Sequence, residues 1–267
     1  MSVPIYHLPS DQSRKIQFRE PTVNDYMEFC EVNPDLEEKL TTEYLNFMQN
    51  TAINPLDDSA EWTGEDRRTA LWWIFISTRV DPTLTFKHGC KCGEEHYLDL
   101  NMVQLGEFAT VLKQQHVDVT FTAGGEKRTG QVVPLRGYAI EHLEQLRLTQ
   151  SQYAEDSKEY KRLANTTALF HLVHSLRIDG EPEDRDQAIT ERHQILSTMA
   201  LDKEFRPLAA KIHLALKKLR HGLMSEFKEA RYYLAAHKPP CKDVEAQEGD
   251  SNVILVPFHN GSFLPTL

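Results

Sequence analysis

No long hydrophobic run occurs in this chain. The strongest, Ala70-Leu71-Trp72-Trp73-Ile74-Phe75-Ile76, is far shorter than the roughly 20 apolar residues a bilayer-spanning helix needs. A surplus of positive charge is also missing. The 30 Lys and Arg face 40 Asp and Glu, for a net charge of -10, which argues against the phosphate-neutralising surface of a general nucleic-acid binder. Cysteine is scarce. Cys30 and Cys241 stand alone, and Cys90 and Cys92 are too close in sequence for an easy bridge, so the four do not form a secreted disulfide framework. The start, Met1-Ser2-Val3-Pro4-Ile5-Tyr6-His7, lacks the basic and apolar regions of a signal peptide. Gly-x-Ser-x-Gly elbows, phosphate loops, dinucleotide fingerprints, internal repeats and low-complexity tracts are all lacking. The expectation is a cytoplasmic protein with reduced thiols and with neither membrane nor nucleic acid as partner.

What is present is an ordinary globular composition, 40% hydrophobic and 26% charged, on a length that allows one or two domains. Ile5–Leu8 and Lys15–Phe18 flank a polar turn and predict a small hairpin. Thr22, with Asp25 three residues on, has the form of a capping box opening a helix through Val23, Tyr26, Met27 and Cys30. Leu36, Leu40, Tyr44, Leu45 and Met48 give a second helix over 35–49. A third is expected from Thr63 or Gly64 to Arg79. Its apolar positions almost encircle it, which makes it the central core helix of an N-terminal domain. Its adjacent tryptophans point to opposite sides; one is expected in the core and Trp72 is a candidate for a partner surface, the competing reading being burial of both between layers.

Farther along, Val117–Thr122 and Gly130–Leu135 alternate as strands around the turn Ala123-Gly124-Gly125-Glu126. Helices are expected over 138–149 and 150–177, separate or as one bent helix, then a break at Ile178-Asp179-Gly180-Glu181-Pro182. Two more follow, over 182–200 and 202–236, the last carrying the stripe Ile212, Leu216, Leu219, Leu223 and Phe227. Residues 241–250 are acidic and poor in apolar side chains, as in a linker. Beyond them Val253, Ile254, Leu255, Val256 and Phe258 form an apolar strand-like segment, which either docks on a sheet elsewhere or folds back on its own domain.

Reactive side chains concentrate in one place, Thr83 to Leu100. His88, Cys90, Cys92 and His96 crowd a Gly-containing turn between two alternating strands. Thiolate and imidazole are the ligands zinc prefers, and a structural zinc would staple a β element with little core of its own. Four protein ligands leave no open position for catalysis. Cys-x-Cys is poorer spacing than Cys-x-x-Cys, and the competing reading is a hairpin with incidental Cys and His whose Gly89 and Gly93 serve the backbone. His171 and His174, one helical turn apart, together with His193 and His213, read as interface or core-edge histidines satisfied by hydrogen bonds rather than ligands. The acidic residues of the helices alternate with Lys and Arg, as on solvated faces.

Three stretches together resemble the T-even-type phage baseplate-hub assembly and tail morphogenesis proteins of contractile-tailed phages. They are Lys15-Ile16-Gln17-Phe18-Arg19-Glu20-Pro21-Thr22-Val23-Asn24-Asp25-Tyr26, Gly64-Glu65-Asp66-Arg67-Arg68-Thr69-Ala70-Leu71-Trp72-Trp73-Ile74-Phe75, and the Cys/Gly turn ending in Leu98-Asp99-Leu100. The resemblance covers the first half of the chain and departs from the family pattern at Cys90-Lys91-Cys92, where Cys-x-x-Cys is usual. It implies a non-enzymatic viral protein that builds the baseplate or tail, with hub, tail-tube or tape-measure proteins as partners, an oligomeric setting and the host cytoplasm as its place of work.

The expected architecture is α+β. A domain of small β-hairpins packed on helices spans 1–136, with the Cys/His turn at 88–96. A mainly α-helical domain follows over 137–237, and a linker with an extended apolar tail over 238–267. The competing functions are a cytoplasmic zinc-stapled adaptor and a thiol- or metal-dependent enzyme using Cys90, Cys92 and His96.

Overall fold

The computed structural model describes residues 3–29, 36–89, 95–228, 231–237 and 253–257. The fold is α+β, half helical, with small antiparallel sheets of two or three strands. In chain order the elements are β1 (Tyr6–Leu8), β2 (Asp11–Ile16), α1 (Val23–Phe29), α2 (Glu37–Met48), α3 (Gly64–Thr78), β3 (Thr83–Gly89), β4 (Glu95–Asn101) and α4 (Met102–Leu105). Then come β5 (Val117–Ala123), β6 (Glu126–Val132), α5 (Gly137–Gln150), α6 (Lys158–Ser175), β7 (Leu176–Ile178), α7 (Arg185–Thr198), α8 (Arg206–Lys218), β8 (Ser225–Lys228), β9 (Arg231–His237) and β10 (Val253–Pro257).

Two compact units result, and their boundaries differ from the expected division at residues 136 and 237. The first comprises 1–57, 65–111 and 221–267; the second comprises 58–64 and 112–220. The β5–β6 hairpin therefore belongs with the helices, and the chain after Arg220 belongs with the N-terminal elements.

In the first unit the hairpin β1–β2 pairs Tyr6 with Ile16. The capping box at Thr22 forms as the spacing predicts. The Asp25 amide donates to Thr22 Oγ1 (3.3 Å), the Thr22 amide donates to the Asp25 carboxylate (2.7 Å), and Arg19 grips the same carboxylate through two nitrogens. Helix α3 is buried nearly all round. Ala70, Leu71, Trp72, Ile74 and Phe75 are in the core, and so are Asp66, Arg67, Arg68 and Thr69.

The second unit sets the sheet β5-β6-β7 against α6, α7 and α8. Its core draws Val119, Phe121 and Val132 from the sheet, Leu172 and Val173 from α6, Leu196 from α7, and Leu208 and Ile212 from α8. Residues 58–64 join this unit through backbone pairing. The Gly64 amide donates to Leu135 O (3.0 Å) and the Gly137 amide to Trp62 O (2.9 Å), with Trp62 fully buried.

Three expected elements come out differently, each for a local reason. Strand β6 begins at Glu126, four residues early, because Gly124 and Gly125 both adopt positive φ (61° and 80°) and make a two-residue turn that lets Ala123 pair directly with Glu126. Leu176–Ile178 is a strand rather than the end of a helix, since α6 stops where Leu176 can pair with Val132. The long helix expected over 202–236 ends at Lys218. Gly222, at φ 67°, sits where an added Cβ would lie 2.5 Å from Thr69 Oγ1, and Leu223 leaves the helical stripe to donate its amide to that hydroxyl. Phe227 is consequently on β8.

Candidate functional site

The segment singled out by its cysteines and histidines is a two-stranded ribbon, β3–β4. Its register pairs Leu84 with Leu100, Phe86 with Leu98, and Thr85 with Asp99. Alternation gives the ribbon two unlike faces. On one, Thr85 Oγ1 donates to Asp99 Oδ1 (2.6 Å) and Lys87 Nζ pairs with Glu95 (2.6 Å). On the other, Leu100 is buried, while Leu84, Phe86 and Leu98 are only half-buried. Tyr97 is 71% exposed. The ladder continues to His88 opposite His96, so the backbone brings these two members of the proposed ligand set level at the loop end. Cys90 and Cys92 lie outside the described residues. Among the described residues no group of three or more His, Cys, Asp or Glu is placed to hold a metal ion.

At its base the ribbon meets a small cavity of about 90 Å³. It is lined by Leu100 from β4, by Leu105 and Phe108 just beyond, and by Leu223, Met224 and Ala235 from the returning chain. Apart from Gln104 the lining is apolar, and it offers no charged side chain for catalysis. The sheet above it has the order β10-β9-β8, and its outer strand is the apolar tail segment. Val253–Pro257 pairs with β9 of its own chain, Leu255 lying opposite Ala235, so the fold-back alternative is the one the structure adopts. Ile254 and Val256 are buried; Leu255 is partly exposed and Val253 half-buried. Phe258 lies outside the described residues, as do residues 241–250.

Trp72 is not a surface residue. It is 6% exposed, and its indole donates to Met102 O (2.7 Å), whereas Trp73 is half-buried and donates to Pro4 O (2.9 Å). Adjacent helix positions are separated by about 100°, so neither tryptophan is forced opposite the other, and a helix buried nearly all round takes in both.

Sequence reading missed the polar network within this unit. Asp66, fully buried, accepts from the Ser10 amide (2.8 Å) and Ser10 Oγ (2.5 Å), and its backbone carbonyl accepts from Tyr6 Oη (2.8 Å). His221 Nε2 stands 3.8 Å from its carboxylate. Ser, Asp and His invite a comparison with a catalytic triad, but the order is wrong. A triad needs histidine between serine and aspartate to take the hydroxyl proton, and here aspartate is in the middle. Burial pushes the Tyr6 hydroxyl pKa well above its ordinary range. Nearby, Arg68 pairs with Glu38, and Arg67 donates to Glu38 O (2.5 Å). The available signal was Asp66-Arg67-Arg68 one turn before the apolar run Ala70 to Ile76 of the same helix.

The second unit gathers the helical histidines, with one that the reading overlooked. His142 Nδ1 lies 2.9 Å from His174 Nε2, Phe170 stacks on His193 at 4.8 Å, and His171 and His213 are 6.2 Å apart. His174 is buried, its Nδ1 has no hydrogen-bond partner among the described residues, and Arg192 and Arg185 stand near enough to oppose a positive charge on it. Burial and these neighbours push its pKa down to about 3; burial and His213 take His171 to about 4. His171 and His174 are neutral packing groups at ordinary pH.

No protein-family model, curated protein or solved structure matches this chain. No helix among the described residues is long and apolar enough to cross a membrane.

Proposed function

We propose that this chain is a baseplate or tail assembly protein of a contractile-tailed phage, acting by protein–protein binding as a structural component or assembly chaperone. Hub, tail-tube or tape-measure proteins are its partners in this reading. The host cytoplasm is its place of work, with the baseplate or tail its destination where it is retained. The residue resemblance in the first half of the chain supports the family. One structural observation supports the binding mode: the β3–β4 ribbon. Two strands alone are marginal in water, and a third strand or a packed face is needed to hold them. Here Leu84, Phe86 and Leu98, all on one face, are only half-covered, so a partner laid on that face would complete the ribbon.

The test is a nonsense mutation in the coding sequence of the phage that carries it. Negative-stain microscopy of the lysate is expected to show filled heads with no complete tails. Normal contractile tails would sink the proposal.

One observation favours a zinc-stapled ribbon, namely the level register of His88 and His96 at the loop end. Zinc held there by His88, Cys90, Cys92 and His96 would substitute for the missing core. Native mass spectrometry is expected to find one zinc-sized increment that chelation and C90S/C92S both remove, with loss of the folded charge distribution. A folded chain carrying no increment would leave the ribbon as an ordinary hairpin.

A further inference from the structure

We infer that the facing imidazoles of His142 and His174 are an acid-released latch that holds α5 on α6. The inference stands on the second unit alone and is independent of the phage reading. Helix α5 is set apart within that unit. It contributes none of the apolar side chains of the core shared by β5–β7, α6, α7 and α8, and it packs there on α6 and on the short turn Ser59–Glu61. Its seam with α6 is a run of rings. Tyr138 meets His174 edge-on, with 6.1 Å between centroids. His142 meets Phe170 edge-on at 4.7 Å and His174 at right angles at 5.2 Å. At the centre of the seam His142 Nδ1 and His174 Nε2 stand 2.9 Å apart.

That distance admits one hydrogen between the two nitrogens and not two. With both rings neutral, one donates and the other accepts, and the seam is joined. A first added proton can still be shared, because an imidazolium donates to an imidazole. A second sets N–H against N–H and puts two positive charges side by side. The surroundings reinforce the limit. On α6 and α7 the charges that act on His174, after His142, are those of Arg192, His171 and Arg185, and all of them oppose its proton. The carboxylates nearby are engaged by arginine: Glu181 by Arg192 (3.2 Å), and Glu61 by Arg185 (2.6 Å) and Arg136 (3.1 Å). His193 of α7 stacks on Phe170, and His213 of α8 faces His171, so the further titratable groups there are imidazoles too. On α5 itself Tyr138, Glu141 and Glu144 lie within about a turn of His142. His174 Nδ1, buried with no hydrogen-bond partner among the described residues, would carry an unsatisfied N–H in the charged ring. Burial accordingly drives His174 down to about 3 and lowers His142. Once α5 is detached, both rings take up protons below about pH 6.5. The latch is therefore complete above that pH and is lost as the pH falls, the opening equilibrium rising at least about tenfold per pH unit.

The test is hydrogen exchange of the full chain between about pH 7.5 and about pH 4.5, read peptide by peptide and scaled for the pH dependence of exchange itself. Protection of α5 is expected to fall at least about tenfold per pH unit below about 6.5 and to stay below that of β5 and α8 throughout. Undiminished protection of α5 down to about pH 4.5 would overturn the inference, and so would loss of α5, β5 and α8 in a single step. A chain carrying H142N and H174Q keeps an amide group near each facing nitrogen without a titrating ring. Its α5 should show no such fall, and a fall as steep as the native one would overturn the assignment to this pair. The native rings give a reading that needs no variant. Their carbon-bound protons, followed by NMR, should never report two charged rings while α5 is protected. Both rings titrating near pH 6.5 with α5 still protected would show that the seam tolerates two protons, and the latch would be refuted.

Discussion

In the unit formed mainly by residues 112–220, the core is built from Val132, Val173, Leu196, Leu208 and Ile212, drawn from a three-stranded sheet and three helices. In the other unit the central helix buries Asp66, Arg67 and Arg68 beside Leu71 and Phe75, and Glu37, Glu38 and His221 are buried as well. The first arrangement is non-directional, since apolar surface gains by leaving water whatever it touches. The second is directional, because each buried charge must meet a partner in the right geometry or its desolvation goes uncompensated. This unit too has an apolar core, with Leu8, Phe18, Leu45, Met48, Leu71 and Phe75 buried, and its buried polar network adds the directional contacts that specify its arrangement.

The most severe way to break that contrast is Arg68→Ala. The substitution removes the guanidinium that pairs with Glu38 and faces Glu37 at 3.8 Å, leaving Arg67 at 3.5 Å as the guanidinium beside the buried Glu38 carboxylate, and the expected loss is about 3–5 kcal/mol. Hydrogen exchange read peptide by peptide should show protection falling in α2, α3 and the β1–β2 hairpin. A loss below about 1 kcal/mol, the size expected of an exposed pair, would mean that the network does not specify the unit. The counterpart in the other unit is Ile212→Ala, which removes a fully buried side chain from α8. It should cost about 2–4 kcal/mol through lost burial and the cavity left behind. Protection should fall in β5, α6 and α8. An apolar core tolerates a smaller apolar residue better than a polar network tolerates a missing charge, so the first substitution should outrank the second in denaturant melts.

The same contrast explains what could be read in advance. Elements with strong local signals were legible: the capping box at Thr22, the heavy helix after Gly64, and the ribbon from Thr83 to Leu100. The helix expected over 202–236 was not, because Leu219 and Leu223 continue the helical spacing while the decisive fact is tertiary. Gly222 fits against Thr69, and only there does the chain turn away. The two-unit division was hidden for the same reason. Residues 221–237 return to elements more than a hundred residues earlier, a pairing no local pattern encodes. Of the candidate site, sequence located the ribbon and the tail strand but misplaced Trp72. Its hydrogen bond to Met102 O depends on where α4 packs. The buried charges of α3 were written in the sequence as Asp66-Arg67-Arg68, yet burial of a charge becomes visible only once its partners on α2 and after Arg220 are in place.

Acid sharpens the comparison, since the two units should fail in different pH windows. In the second unit His174 and His171 are neutral when folded, with pKa values driven to about 3 and about 4, chiefly by burial. Unfolded histidines take up protons below about pH 6.5. Between that value and the folded pKa the unfolded chain binds more protons, so stability is complete above pH 6.5 and falls as the pH drops. The limit is about 1.4 kcal/mol per pH unit for each ring. In the first unit the Asp25 carboxyl moves the other way. Hydrogen bonds from Arg19 and Thr22 hold its pKa below the ordinary value of 3.8, so its contribution is present above that value and is lost only as the pH falls further. Between pH 6.5 and 4, hydrogen exchange should report weakening in α6 and α8, while the peptides around Arg19 and Asp25 hold. His174→Asn removes one ring's share of the slope and leaves the His171 share. An unchanged slope in that variant would show that His174 is not the group whose burial opposes protonation.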